Sequence, residues 1–144
     1  MSPRSSTTPR PSADDSPPCR VLIVDDEPAI LRIYARALGN YGFTTEGVSD
    51  GDQALARLEL SPFDAVVSDV HMPNCDGLDL ARLIHARYPQ VPIIVISGKP
   101  AHGDLNRAVS GGAVWYLIKP VMPSVLRSVI EGAVRRRVAP VRVG

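Results

Sequence analysis

Short aliphatic runs alternate five times with segments whose apolar residues recur at helical spacing, and no other feature of the chain constrains its fold as tightly. The first run, Val21 to Val24, ends in Asp25-Asp26, and Pro28 stands where the first turn of a helix tolerates proline. Ile30, Leu31, Tyr34, Ala37 and Leu38 keep helical spacing until Gly39 and Gly42 close the segment. Phe43 to Val48 reads as a short, weakly apolar strand. Asp50-Gly51 then starts a second helix with Ala54, Leu55 and Leu58 on one face, stopped by Ser61-Pro62. Ala65 to Val67 leads into Asp69; after a loop, Asp76-Gly77 begins a third helix driven by Leu78, Leu80, Leu83 and Ile84 as far as Pro89. Val91 to Ile96 is the most apolar strand and ends at Ser97-Gly98. Residues 100–111 carry the weakest helical signal, because Pro100, Gly103 and Ser110 lower propensity. Ala113 to Ile118 stops at Lys119-Pro120, and Pro123 opens a last helix with Val125, Leu126, Val129, Ile130 and Val134 inward. Five strand–helix units with strands apolar on both faces predict an α/β, flavodoxin-like (βα)5 doubly wound fold, a five-stranded parallel sheet in the order 2-1-3-4-5.

One such fold accounts for the chain, since 144 residues leave room for a single core. A multidomain enzyme is excluded. No uncharged apolar run approaches the ~20 residues that span a bilayer, so a membrane helix is excluded too. Of the first 18 residues, 12 are Pro, Ser or Thr and only Met1 and Ala13 are apolar, so the segment lacks the apolar core of a secretion signal. It also cannot bury enough surface to offset its ordering entropy. Residues 1–18 are therefore expected to be a disordered leader, 19–137 the folded domain and 138–144 a short tail. A cytoplasmic setting follows, with Cys19 and Cys75 as reduced thiols. The formal charge of +1 is an average: Arg135, Arg136, Arg137 and Arg142 leave 12 basic against 15 acidic groups over residues 1–134. A mildly acidic body argues against direct nucleic-acid binding.

The polar residues that need explaining all fall at the carboxyl ends of the predicted strands. Asp25 and Asp26 end the first, Asp69 the third, Ser97 the fourth and Lys119 the fifth. Taken singly, an acid after a strand is a helix cap or a turn former. Together, at the edge where open α/β sheets bind ligands, they form one constellation. Three clustered carboxylates repel one another, and Lys119 neutralises only part of that charge. A Mg²⁺ fits the remainder, because this cation uses one or two carboxylates together with waters and phosphate oxygens. With charge absorbed in this way, the Asp69 carboxylate is able to attack a phosphoryl donor and form an acyl phosphate, with Ser97 bonding a phosphoryl oxygen.

The same residues carry a family resemblance. The segments Val-Leu-Ile-Val-Asp-Asp-Glu (21–27), Val-Val-Ser-Asp-Val-His-Met-Pro-Asn-Cys-Asp-Gly-Leu (66–78), Ile-Ile-Val-Ile-Ser-Gly (93–98) and Tyr-Leu-Ile-Lys-Pro (116–120) resemble the receiver domains of two-component response regulators over residues 19–137. The resemblance implies that Asp69 is the phosphoacceptor, that Asp26, Asp69 and the His71 backbone carbonyl ligate Mg²⁺, and that Asp25 assists through water. It implies that Ser97 and Lys119 contact the phosphoryl group and that Tyr116 is the switch aromatic, turning inward as Ser97 moves toward the phosphate. His71 and Lys99, two residues beyond Asp69 and Ser97, are implied to tune dephosphorylation. The implied donor is a phosphohistidine on a sensor histidine kinase or phosphotransfer protein. Output would pass to a partner protein through the fourth helix, fifth strand and fifth helix, and a homodimer is compatible with that surface.

Competing readings are weaker. Phosphatases with an aspartate nucleophile need a second acid two residues on, and His71 fills that place. No Gly-rich phosphate loop is present. His71 and Cys75 have no further ligands nearby to make a soft-metal site. Trp115 and Tyr116 suit packing or switching better than base stacking. The arginines at 135–137 complement a helix dipole, or serve as an arm for a partner. The expectation is thus a signalling phosphoacceptor rather than an enzyme acting on an external substrate. A regulatory segment of a longer output protein has the same signature.

Overall fold

A computed structural model describes residues 19–136 and 142–143. The expected leader (1–18), Arg137 and all of the expected tail apart from 142–143 lie outside the described residues. Five strands, β1 (Arg20–Val24), β2 (Thr44–Val48), β3 (Ala65–Asp69), β6 (Ile93–Ser97) and β7 (Trp115–Ile118), form a parallel sheet in the order β2-β1-β3-β6-β7. Helices α1 (Pro28–Asn40), α2 (Gly51–Leu60), α3 (Gly77–Arg87), α4 (Asp104–Gly111) and α5 (Pro123–Arg136) connect or follow them. This is the predicted flavodoxin-like order, with β1 and β3 adjacent at its centre.

Both sheet faces are covered, which is why the central strands read as unbroken apolar runs. Val21, Ile23, Ala65, Val67, Ile94, Ile96 and Leu117 point to one side, where Tyr34 and Leu38 of α1 and Leu126, Val129, Ile130 and Ala133 of α5 complete a core. Leu22, Val24, Val66, Val95 and Tyr116 point to the other and meet Ala54 and Leu58 of α2, Leu78, Leu80, Ala81 and Ile84 of α3, and Ala108 of α4. The helix starts follow local chemistry. Pro28 stands in the first turn of α1; Asp50 accepts a 2.8 Å bond from the Gln53 N–H at the start of α2; Asp76 accepts from the Leu78 N–H at 2.8 Å to cap α3. Gly103 and Gly112, both left-handed, bracket α4.

Four details depart from the sequence reading. The loop after Asp69 contains a two-residue hairpin, β4 (His71–Met72) against β5 (Cys75–Asp76). A short parallel strand, β8 (Arg142–Val143), adds to the free edge of β7, within the segment expected to be a short tail. Leu83 is 38% exposed and Val125 48% exposed, so neither points into the core as its helical pattern suggested. Each sits one position off the buried stripe of its helix, beside Ile84 and Leu126, which are fully buried and fill the inward positions. Among the described residues, no helix is long and apolar enough to cross a membrane.

Candidate functional site

Sheet pairing brings the strand-end residues together. Asp25 leaves β1 with its N–H on the Val48 carbonyl, and its Oδ1 accepts the Glu27 N–H at 2.9 Å, which turns the chain into α1. Asp69 closes β3 opposite Ile96, and the next N–H, that of Val70, bonds the Ile96 carbonyl at 2.9 Å. The chain then folds back so that Gly77 N–H reaches the Val70 carbonyl at 2.8 Å. A Cβ at Gly77 would overlap the Asp69 carbonyl oxygen, so glycine here lets α3 start directly beneath the end of β3. Ser97, fully buried, ends β6, and its carbonyl accepts the Lys119 N–H at 2.8 Å, tying the end of β7 to that of β6.

Asp25, Asp26 and Asp69 each offer a carboxylate oxygen, all within 4.8 Å of one another. Asp26 is the most open of the three and lines a cleft of about 640 Å³ with His71, Asn74 and Asp76. Asp25 and Asp69 are 3% and 7% exposed. Lys119 Nζ lies 3.3 Å from Asp69 Oδ1 and 3.8 Å from Asp25 Oδ2. The contact with Asp69 is an ion pair rather than an aligned hydrogen bond, and Asp69 Oδ1 is left buried without a hydrogen-bond partner.

The electrostatics match this crowding. Burial raises the Asp25 pKa and the Asp69 charge adds to it, while the Glu27 N–H and Lys119 pull the other way. Burial opposes the Lys119 charge, but Asp69 and Asp25 more than offset it and its pKa rises. Lys119 therefore stays an ammonium. Three carboxylates against one ammonium leave excess negative charge, and Asp69 Oδ1, ion-paired with Lys119 but without a hydrogen bond, lies within it. A hard divalent cation fits that donor set, all oxygen and partly open to water.

The structure places the other expected residues around this centre. Ser97 Oγ accepts the Lys99 N–H at 3.2 Å. His71 Nε2 donates to the Lys99 carbonyl at 2.8 Å, so the two positions expected to tune dephosphorylation are joined to each other. Tyr116 is 4% exposed and turned inward. Burial raises its pKa, Ser97 opposes the rise and Asp104 adds to it. Its hydroxyl donates to Asp104 Oδ2 at 3.1 Å. Sequence reasoning passed over Asp104, a lone acid in the segment of weakest helical signal. It also passed over Arg107, which joins α4 to α3 through Asp76 and Asp79, 3.0 Å from each. That contact and two N–H bonds from α3 overcome the partial burial of Asp76 and lower its pKa.

Comparison with known proteins places this geometry. The family model for the response regulator receiver domain matches residues 21–131. The phosphoglycerate transport system transcriptional regulatory protein PgtA of Salmonella typhimurium is 37% identical over 122 residues, 83% of this chain and 29% of that protein. The transcriptional regulatory protein TcrA of Mycobacterium tuberculosis is 36% identical over 101 residues, 70% of this chain and 40% of its own. The chain thus spans less than half the length of either relative. Among solved structures, a CheY-like response regulator receiver domain protein from Methanospirillum hungatei superposes with a TM-score of 0.80 at 28% identity, over 83% of this chain and 96% of that one. The beryllofluoride-activated NtrC4 receiver domain dimer gives 0.77 at 28% identity, over 82% and 98%.

Proposed function

The chain belongs to the response regulator receiver domain family, and from that premise we propose that it is a phosphorylation-controlled switch whose phosphoacceptor is Asp69. The observation that carries this reading is the buried Asp69 carboxylate, 3.3 Å from Lys119 and within a three-carboxylate cluster at the carboxyl edge of the sheet. A carboxylate oxygen of Asp69 attacks the phosphorus of a phosphohistidine on a sensor histidine kinase or phosphotransfer protein. The P–O bond forms as the P–N bond breaks, and the departing imidazole keeps the electron pair and is protonated. Lys119 and Ser97 bind phosphoryl oxygens. A Mg²⁺ held by Asp26, Asp69 and the His71 backbone carbonyl, with Asp25 through water, would supply positive charge to those oxygens. His71 and Lys99, joined by their hydrogen bond, tune how fast water removes the phosphate and so the lifetime of the acyl phosphate.

The output surface is α4, β7 and α5. Leu105 and Val109 of α4, Ile118 of β7 and Val125 of α5 are all between 42% and 53% exposed, an apolar set suited to a partner protein or a second copy. The functional unit is residues 19–137, acting in the cytoplasm. The lengths of PgtA and TcrA favour the same switch serving as the regulatory segment of a longer protein.

The test is intact-mass analysis after incubation with a small-molecule phosphodonor and Mg²⁺. Wild type is expected to gain one phosphoryl group, labile to hydroxylamine as an acyl phosphate is, and Asp69→Asn to gain none. Equal labelling of the variant would sink the assignment.

A further inference from the structure

We propose that Asp104 is a positioning residue that holds the Tyr116 hydroxyl and the start of α4 together, so that β7 is fastened to α4 through a single buried carboxylate. The connection of the phosphoryl site to Tyr116 through Ser97 rests on the reading of the site above; the Asp104–Tyr116 link does not. Five polar or charged side chains are buried among the described residues: Asp25, Ser68, Asp69, Ser97 and Asp104. Three of them belong to the strand-end cluster, and Ser68 donates to the Asp69 carbonyl. Asp104 stands apart on α4, and a 6% exposed carboxylate is costly unless its partners hold it. Those partners are specific. Its Oδ2 accepts the Tyr116 hydroxyl at 3.1 Å and the Ala101 N–H at 2.9 Å, and its own N–H returns to the Ala101 carbonyl at 3.1 Å. The turn at the start of α4 is therefore closed on itself and fastened to β7 by one phenol. Tyr116 pairs with Val95, two residues before Ser97 on the neighbouring strand. A displacement of Tyr116 is thereby passed to the first turn of α4.

A role limited to closing the turn needs only the Ala101 bond; the proposed role needs the Tyr116 bond as well. Hydrogen exchange by mass spectrometry on the full chain separates the two. Tyr116→Phe keeps the buried ring, and Asp104→Asn keeps an acceptor oxygen in place. Loss of one buried hydrogen bond predicts that Tyr116→Phe raises exchange over residues 101–111 by about five- to tenfold, and Asp104→Ala, which also loses the Ala101 bond, by at least as much. The double variant should be no looser than the looser single variant, and Asp104→Asn should stay within about twofold of wild type. With Mg²⁺ and beryllofluoride as the phosphoryl mimic, wild type and Asp104→Asn should change their exchange over α4, and Asp104→Ala should lose that response while still labelling Asp69. Wild-type exchange in Tyr116→Phe, or additive effects in the double variant, would overturn the proposal. Should wild type fail to label Asp69 at all, the phosphoacceptor reading falls, and the double-variant comparison still decides whether Asp104 and Tyr116 are coupled.

Discussion

At Asp25 a carboxylate is held 3% exposed, within 4.8 Å of two others, and its pKa is raised mainly by burial. A raised folded-state pKa means that ionisation disfavours the fold: the penalty is present above the folded value and vanishes as pH falls to the ordinary carboxyl range near 3.8. Asn at this position keeps an oxygen for the Glu27 N–H and removes the charge. Asp25→Asn is therefore expected to melt higher than wild type at pH 7, each kcal/mol recovered raising Tm by about 2–4 °C in a domain of this size. The gap should close in scans run at pH 4. A variant that melts lower than wild type at pH 7 would show that the Lys119 contact outweighs desolvation. The cost is legible in the sequence only as adjacency: Asp25-Asp26 and Asp69 were recognisable as one cluster because they end strands that an α/β sheet brings together. Asp104 was not, because its partner is twelve residues away on a different element and one acid in a helix's first turn is indistinguishable from an ordinary dipole-complementing residue.

Elements were legible in proportion to their burial. β1, β3 and β6 are buried on both faces over almost their whole length and announce themselves as unbroken aliphatic runs. β2, with Thr-Thr-Glu-Gly-Val at an outer position, is half-exposed and held partly by Arg20 and Arg57 on Glu46, so its apolar signal is faint. β4, β5 and β8 are two residues each, too short to establish a period. The junction of β3 and α3 shows how an element boundary controls chemistry. Gly77 begins α3 where a side chain would overlap the Asp69 carbonyl and the Val70 backbone, and no flexible neighbour is there to give way. Gly77→Ala is expected to destabilise the protein by about 2–3 kcal/mol or more, the scale of overpacking against fixed backbone. Because the displaced atoms belong to Asp69, phosphoryl labelling should slow along with it. Gly39→Ala, where nothing lies within 4 Å, is the control and should do neither. Equal denaturant midpoints for the two variants would contradict this account of the junction.

On the scale of the whole molecule, two aliphatic layers do the folding and the carboxyl edge of the sheet is left to carry charge. The order 2-1-3-4-5 was readable because two-sided burial and right-handed crossovers leave few arrangements for five such strands, and that order makes β1 and β3 neighbours. It follows that the three carboxylates exist as a cluster only in the folded chain, since Asp25 and Asp69 are 44 residues apart in sequence. A cation that binds this cluster binds the native state and not the unfolded one, and must stabilise the entire domain by mass action. If the excess negative charge is met by Mg²⁺, the melting temperature should climb with the logarithm of its concentration. At a hundredfold excess over Kd the gain is about 2.7 kcal/mol, or about 5–10 °C for a domain of this size. Chelation with EDTA should return the protein to its metal-free value, and NaCl at matched ionic strength should not reproduce the shift. Asp26→Asn, which removes the most open carboxylate, should flatten the response, whereas Asp52→Asn on α2, outside the cluster, should leave it intact. A Mg²⁺ response unaltered in Asp26→Asn would place the cation elsewhere on the acidic body of the protein.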